Sequence, residues 1–422
     1  MKKNLLSFGV CALLATGASA QGITGTVSIG AGYANQKWYS FQNGEVGTAQ
    51  PKDNWDIAFE ITGISSAIFA NTQKANFAVY KTPYEIADYA ILDTTGISGW
   101  ATLQNSDTTW TVGAFNRGKD PADAFDMGWG VYDMNTHHVK GDSCFVIKLS
   151  ATSYKKFKIE SLASGVYTFE YADLNGANSF TQTIAKTAYT GKNFAYFDLT
   201  SNSAIDREPA SADWDLTFVR YSAEIAPGMY YPVVGILQNK GVSVAQVNNV
   251  ANPQSFVDTN QVFRTNISTI GHDWKSINIA TNVWGIVNDT VYLVRDKAKD
   301  IWKVRPIAFG GSADGNYVFS AENLALLTTG IADHAGQAVS QVMIYPNPAS
   351  GDHTNLIFSS DKAQTISVSV IDMNGRTLAT ESIEAAEGLT THHLSTAGLS
   401  SGVYFISLNA GSYTSIQKLI VR

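Results

Sequence analysis

Short alternations of apolar and polar residues recur along almost the whole chain. Trp55, Ile57 and Phe59 fall on one face of an extended segment, with Asp56 and Ala58 on the other. Near the C-terminus Ile366, Val368 and Val370 alternate with Thr365, Ser367 and Ser369 in the same way. A period of two is the mark of a strand with one dry and one wet face. Turn dipeptides separate these runs, among them Asn43-Gly44, Asn175-Gly176, Lys240-Gly241 and Asp314-Gly315, and helix-like runs are few. The pattern predicts an all-β chain: tandem β-sandwich or flattened-barrel domains followed by a small C-terminal β-sandwich.

The alternations repeat in order. QKWYSFQNGEV followed by NWDIAF (Asn54–Phe59) returns as NFAYFDLTSN followed by DWDLTF (Asp213–Phe218). Downstream, DSCFVIKL from Asp142 corresponds to DTVYLVRD from Asp289, KKFKIESL from Lys155 to DIWKVRPI from Asp300, and GVYTFEYADL from Gly165 to GNYVFSAENL from Gly315. An ordered series of this length implies a duplicated unit of about 150 residues. AKTAYTGK interrupts the strand pattern between Ala185 and Lys192, and an Ala-, Gly- and Thr-rich stretch follows the second unit. The expected division is therefore residues 1–20, 21–188, 189–325, a linker 326–341, and 342–422.

The last segment has its own signals. Pro346 and Pro348 bracket Asn347 and forbid a central strand there. Asn374-Gly375 suits a tight hairpin turn, so VSVIDM and RTLATESI should pair antiparallel. Val403 to Leu408 forms a further strand, apolar on both sides. The blocks VMIYPNPASG, VSVIDMNGRTLA, LSTAGLSSGVYFISL and SIQKLIVR, in that order at the chain end, resemble the type A C-terminal sorting domain of proteins exported by the type IX secretion system of Bacteroidota. The resemblance implies engagement of that secretion machinery and its sortase, and a secreted or outer-membrane surface location. It places the sorting signal at Pro346, Asn347, Pro348, Gly375, Gly402, Val403, Tyr404 and Lys418.

The N-terminus agrees. Lys2 and Lys3 precede an apolar run from Leu5 to Leu14, and Ala18-Ser19-Ala20 supplies a small-x-small cleavage pattern between Ala20 and Gln21. The run is too short to span a bilayer, and no later stretch approaches ~20 uninterrupted apolar residues, so no transmembrane segment is expected. Removal of this leader discards Cys11 and leaves Cys144 as a single thiol without a disulfide partner. Cys144 lies in the strand-like SCFVIKL, where an inert buried thiol is expected. The 422 residues are 45% hydrophobic and only 15% charged, with a formal net charge of −7 that loses two more positive charges with the leader. A mildly acidic exported chain excludes nucleic acid and anionic membranes as expected partners.

The duplicated unit resembles the HmuY family of Bacteroidota haem-binding proteins. The residues carrying the likeness are an aromatic-led strand, the WDIAF and WDLTF blocks, Arg220 after the second, STIGHDWKS from Ser268, and YLVRD…WKVRPIAF from Tyr292 to Phe309. The resemblance implies an all-β unit that grips haem between protruding loops, with His or Met ligands to iron. Within the repeats the imidazoles are His137, His138 and His272. His137 and His138 sit in VYDMNTHHVKG with Met134 and Met127 nearby, a loop able to offer a haem ligand. On an extended segment the two histidines would face opposite sides. Their counterparts in the second unit are Trp284 and Gly285, and solvated loop histidines are the plainer reading. GxSxG, HExxH and CxxC are absent. Asp56 and Asp215 occupy matched positions, one acid per unit, and are expected to bridge within their own sandwich, as Asp215 to Arg220, rather than to form a catalytic pair. The chain reads as a non-enzymatic binder, of haem or, through exposed aromatic side chains, of a surface glycan.

Overall fold

The computed structural model describes residues 23–63, 66–281, 283–324, 339–373, 376–411 and 413–422. The leader with its Ala20–Gln21 cleavage site, most of the linker, His334 and the Asn374-Gly375 turn lie outside the described residues. Among the described residues regular structure is almost entirely strand and short 3-10 turns, as the alternation predicts. No helix among the described residues is long and apolar enough to cross a membrane. The chain divides into two compact units, one of Thr24–Ala321 and one that contains Glu322–Arg422.

Within Thr24–Ala321 there are two sandwiches, and they do not coincide with the sequence repeats. In the inner sandwich a four-stranded sheet (Ser203–Ile205, Phe194–Asp198, Ile57–Glu60, Ile68–Ala70) covers a seven-stranded sheet whose main strands are Ala78–Glu85, Ser143–Lys148, Tyr154–Ala163, Val166–Asp173 and Phe180–Ala185. Its core runs from Ile57 to Leu199 and includes Phe59, Phe115, Trp129, Phe157 and Tyr167. In the outer sandwich a four-stranded sheet (Met229–Gln238, Leu216–Ala226, Asn35–Ser40, Gly44–Pro51) covers a five-stranded one (Ile23–Ser28, Asn316–Asn323, Ile301–Phe309, Val291–Arg295, Ser243–Val247). Its core joins Val27, Ile29, Tyr39 and Phe41 to residues from Leu216 to Ala321.

Each repeat thus opens with an arm that completes the other repeat. The first arm, Ile23–Pro51, pairs with Asn316–Asn323 and Leu216–Ala226; the second, Phe180–Ile205, pairs with Val166–Asp173 and Ile57–Glu60. The boundary expected at Ala185–Lys192 falls inside the second arm, where a 3-10 turn, Lys186–Tyr189, separates two of its strands. Strand alternation reports which residues lie on a face but not which strand they pair with, so the exchange is not visible in the pattern.

Matched residues of the WD blocks pin the two arms. Asp56 donates its backbone N–H to Phe197 O at 2.9 Å, and its Oδ2 accepts from Leu199 N at 2.8 Å. Asp215 repeats this with Tyr39 O at 2.8 Å and Phe41 N at 2.9 Å. Asn71 Nδ2 donates to Trp55 O at 2.9 Å, and Asn239 Nδ2 donates to Trp214 O at 2.7 Å. The aspartates bend the chain, so the strand begins one residue later and the alternation expected from Trp55 onward is broken. Ile57 and Phe59 enter the inner core, whereas Trp55 packs on Tyr196 and Ala58 on the opposite side of the sheet.

The C-terminal unit packs a three-stranded sheet (Val339–Tyr345, His353–Ser360, Gly388–Ser395) against a four-stranded one (Thr377–Ala385, Gln364–Asp372, Gly402–Ala410, Tyr413–Val421). Ile366, Val368 and Val370 all point into its core, and Gln364–Asp372 pairs antiparallel with Thr377–Ala385, as the sequence predicts.

Candidate functional site

Two recesses in the tandem unit bear on binding. The first holds the histidine pair. His137 sits at the tip of the hairpin between Gly130–Asp133 and His138–Gly141, with φ of 58°, and its Nδ1 is 2.8 Å from Tyr132 Oη. Tyr132 stacks in turn on Phe125 at 6.3 Å. The left-handed backbone at His137 breaks the extended geometry that would send adjacent side chains to opposite sides, and His137 and His138 both line one groove with Met127, Tyr132, Leu162 and Lys186. Met134 is 63% exposed and does not contribute to that groove. Burial lowers the Lys186 pKa, and its ammonium lies 5.5 Å from the Tyr167 ring. In the second repeat the matching hairpin pairs Asn278 with Val283 as Asp133 pairs with His138, so Val283 stands at the place of His138, and Trp284, one residue on, is edge-on to Phe309 at 5.0 Å.

The second recess is a half-open cleft of about 110 Å³ where the four-stranded sheets of the two sandwiches face each other. The inner sheet contributes Ala58, Phe69, Phe194 and Tyr196, together with the half-buried Trp55 and Trp110. The outer contributes Trp38, Trp214, Thr217, Val219, Arg220 and Leu237. These residues come from the face of each small sheet that points away from its own core, which is why both sheets carry apolar residues on both sides.

Polar contacts hold the two sides together around the cleft. Trp110 Nε1 donates to Gln238 O at 2.9 Å, Ile267 N to Thr108 O at 3.1 Å, and Gln73 Nε2 to Ser222 Oγ at 2.7 Å. Asn193 Nδ2 donates to Asn239 Oδ1 at 2.7 Å, and Lys240 pairs with Glu60. Arg207 is buried among Trp38, Trp55 and Tyr196, its guanidinium 5.0 Å from the Tyr196 ring. It donates to Gln36 Oε1 at 2.8 Å and to Pro51 O at 3.1 Å. Glu208 accepts from Tyr196 Oη at 3.1 Å and from Asn193 N at 3.2 Å, and burial pushes its carboxyl up to about 7.

The remaining candidates have structural partners. Burial pushes Asp56 up to about 6 despite its 2.7 Å contact with Lys74 Nζ, so the loss of hydration outweighs the ion pair. Asp215 serves Phe41 N and lies near Asp296 and Lys297, in place of the expected bridge to Arg220. His272 Nδ1 lies 3.3 Å from Tyr221 Oη. Cys144 is fully buried, its Sγ 3.2 Å from Glu85 O, and burial pushes the thiol up to about 12.

Of the expected sorting residues, Asn347 and Lys418 meet at the last strand. Asn347 Nδ2 donates to Lys418 O at 2.6 Å, and its Oδ1 accepts from Ile420 N at 2.9 Å, so the side chain bridges to the strand much as a paired backbone would. Thr354 Oγ1 donates to Pro346 O at 2.7 Å, and both Tyr345–Pro346 and Asn347–Pro348 are cis. Ala349 N, just after Pro348, donates to Ile420 O at 2.7 Å. Gly402 opens the neighbouring strand; Val403 is half-buried, while Tyr404 is buried and donates to Ser400 O at 2.8 Å. The Lys418 side chain is exposed, and Gly375 lies outside the described residues.

Arg207, Glu208, Asn193 and Trp110 escaped the sequence reading. The signal available was the isolated Arg207-Glu208 pair, ahead of a proline and just upstream of the second WD block. Trp110 lies in an irregular loop with no pattern around it.

Residues 343–422 match the family described as the secretion system C-terminal sorting domain. The tail is therefore a type IX sorting tail that engages the secretion machinery, and the protein is exported to the cell surface or beyond. No curated protein matches the chain. A solved structure described as a biofilm associated protein, BSP domain, is similar over 100% of this chain and 84% of its own, at 9% identity and a TM-score of 0.18, a likeness too low to support inference.

Proposed function

We propose that this exported protein is a non-catalytic ligand-binding protein of the cell surface whose site is the cleft between its two sandwiches. The observation that carries the reading is the cleft itself, in which half-buried Trp55 and Trp110 face a wall of buried polar groups. Ligand sites are characteristically concave and largely apolar with a few placed polar groups. The volume, about 110 Å³, is of the order of the ~150 Å³ cavity that admits benzene, so the ligand inserts a single ring or a comparably small group.

A thermal-shift screen of small ring compounds tests this. A true ligand raises the melting temperature of the wild-type chain in a concentration-dependent way, as mass action requires, and loses that effect in Ala58→Leu, which fills the cleft. An unchanged shift in that variant would place the site elsewhere.

A second reading keeps haem. It rests on the convergence of Met127, His137 and His138 on one groove of the first repeat, and on the HmuY-like motifs of both repeats. Imidazole and thioether groups are haem ligands, and the adjacent Lys186 suits a propionate. Titrating the protein with haemin should shift the Soret band, and His137→Ala with His138→Ala should abolish the shift. No spectral change at micromolar haem would remove this reading.

A further inference from the structure

The cleft contains two buried polar atoms without partners, and they are complementary. Trp214 is 2% exposed and its indole Nε1–H has no acceptor; Asn193 is 1% exposed and its amide Oδ1 has no donor. Both residues line the cleft, and they are linked through Asn239, which accepts from Asn193 Nδ2 and donates to Trp214 O. An unpaired buried donor or acceptor is costly, and native structures leave few of them. Here one side chain offers a donor and another an acceptor.

A hydroxyl is the group that answers both, because it donates one hydrogen bond and accepts others. The aromatic side chains of Trp55, Trp110 and Tyr196 offer apolar faces, which suit the C–H faces of a saturated ring. Among the charged residues in and beside the cleft, the Arg207 guanidinium is committed to Gln36 and Pro51, and Arg220 is matched by Asp107 with the partly ionised Glu208. A strongly ionic ligand therefore gains no net attraction.

Resting on the cleft reading above, we infer that the ligand is a neutral pyranose: one sugar ring packed on the tryptophans, with hydroxyls on Trp214 Nε1 and Asn193 Oδ1. The source is either a free monosaccharide or the terminal residue of a glycan, which share this chemistry.

The test uses the full exported chain. Methyl glycosides of glucose, galactose, mannose and N-acetylglucosamine are titrated at millimolar concentration by ligand-observed NMR and tryptophan fluorescence, beside cyclohexanol and benzyl alcohol. Saturable binding of at least one glycoside is expected. In Trp214→Phe it should weaken by about five- to tenfold, the worth of one hydrogen bond. The unliganded variant should still melt cooperatively, at a modestly lower temperature, because the smaller ring leaves a cavity where the buried indole stood. Equal affinity for the monosaccharide and for an oligosaccharide ending in it assigns the free sugar; tighter binding of the oligosaccharide assigns the glycan end. Binding of cyclohexanol or benzyl alcohol without any glycoside overturns the sugar assignment and leaves the cleft as a site. If no compound perturbs the cleft tryptophans, both fall. Unchanged glycoside affinity in Trp214→Phe also overturns the assignment.

Discussion

Separating the sequence repeats should unfold both sandwiches, because each depends on the other's arm. Cutting the chain into residues 21–178 and 179–422 removes Ile184, Phe194, Tyr196, Phe197 and Leu199 from the inner sandwich, each at most 7% exposed in the intact protein. Full burial of such a side chain contributes roughly 1.5–3 kcal/mol, so the five together are worth roughly 8–15 kcal/mol. That is an upper estimate, since the unfolded chain already buries part of its surface, yet it matches the roughly 5–15 kcal/mol by which a whole domain is stable. Residues 21–178 alone should therefore show no cooperative thermal transition by circular dichroism. Residues 52–206, which contain the entire inner core, should fold. The same 21–178 piece mixed with 179–422 should recover a 1:1 complex by size exclusion, with a cooperative melt. A folded, monomeric 21–178 fragment with a melting temperature near that of the intact protein would refute the exchange.

Further predictions follow from the same contacts. The folded pKa of Glu208, about 7, lies above its ordinary 4.5. The folded state therefore holds the proton more tightly, and the stability this gives is full below pH 4.5 and lost as pH rises through 7. A shift of that size is worth about 3 kcal/mol, so Glu208→Gln should be the more stable form at pH 8 and lose its advantage at pH 4, measured by urea melts. Asp215→Ala should cost about 2 kcal/mol by stranding the buried Phe41 N–H; a melting temperature within a degree of wild type would contradict the pinning role. Cys144 should resist alkylation in the native protein at pH 8 and react fully on unfolding, and rapid native labelling would count against its burial. Deleting residues 342–422 should hold the protein in the periplasm, and surface display of the truncated chain would refute the sorting assignment.

Much of this architecture was legible because alternation and turn chemistry are local. Ile57 and Phe59, or Ile366, Val368 and Val370, announce a buried face wherever their strand is placed. The partner of each strand is non-local, and nothing in QKWYS says that it lies beside LTFVR more than 170 residues on. The sorting tail was readable as an ordered set of motifs; the hydrogen bonds of Asn347 to Lys418 and Ile420 were not, because they join segments about 70 residues apart. The cleft was not readable, since its walls come from Asn193, Glu208 and Trp214 on one stretch and from Trp55 and Trp110 on earlier ones. Only the exchange of arms brings these together.

That exchange also dictates an order of assembly. As the chain emerges N-terminus first, the inner sandwich is contiguous and can close once residue 205 is available. The first arm must wait with its strand edges unpaired until Leu216–Ala226 and Asn316–Asn323 arrive. Closure of the inner sandwich shortens that wait in space, because it brings the exit of the insert at Arg207 back to its entry at Pro51, where the guanidinium meets the Pro51 carbonyl at 3.1 Å. The effective loop that the outer sandwich must close is then a few residues in place of about 150, and its entropic cost falls accordingly. The inner sandwich thus acts as a template for the outer one, and variants that slow its closure should prolong exposure of the first arm to other chains.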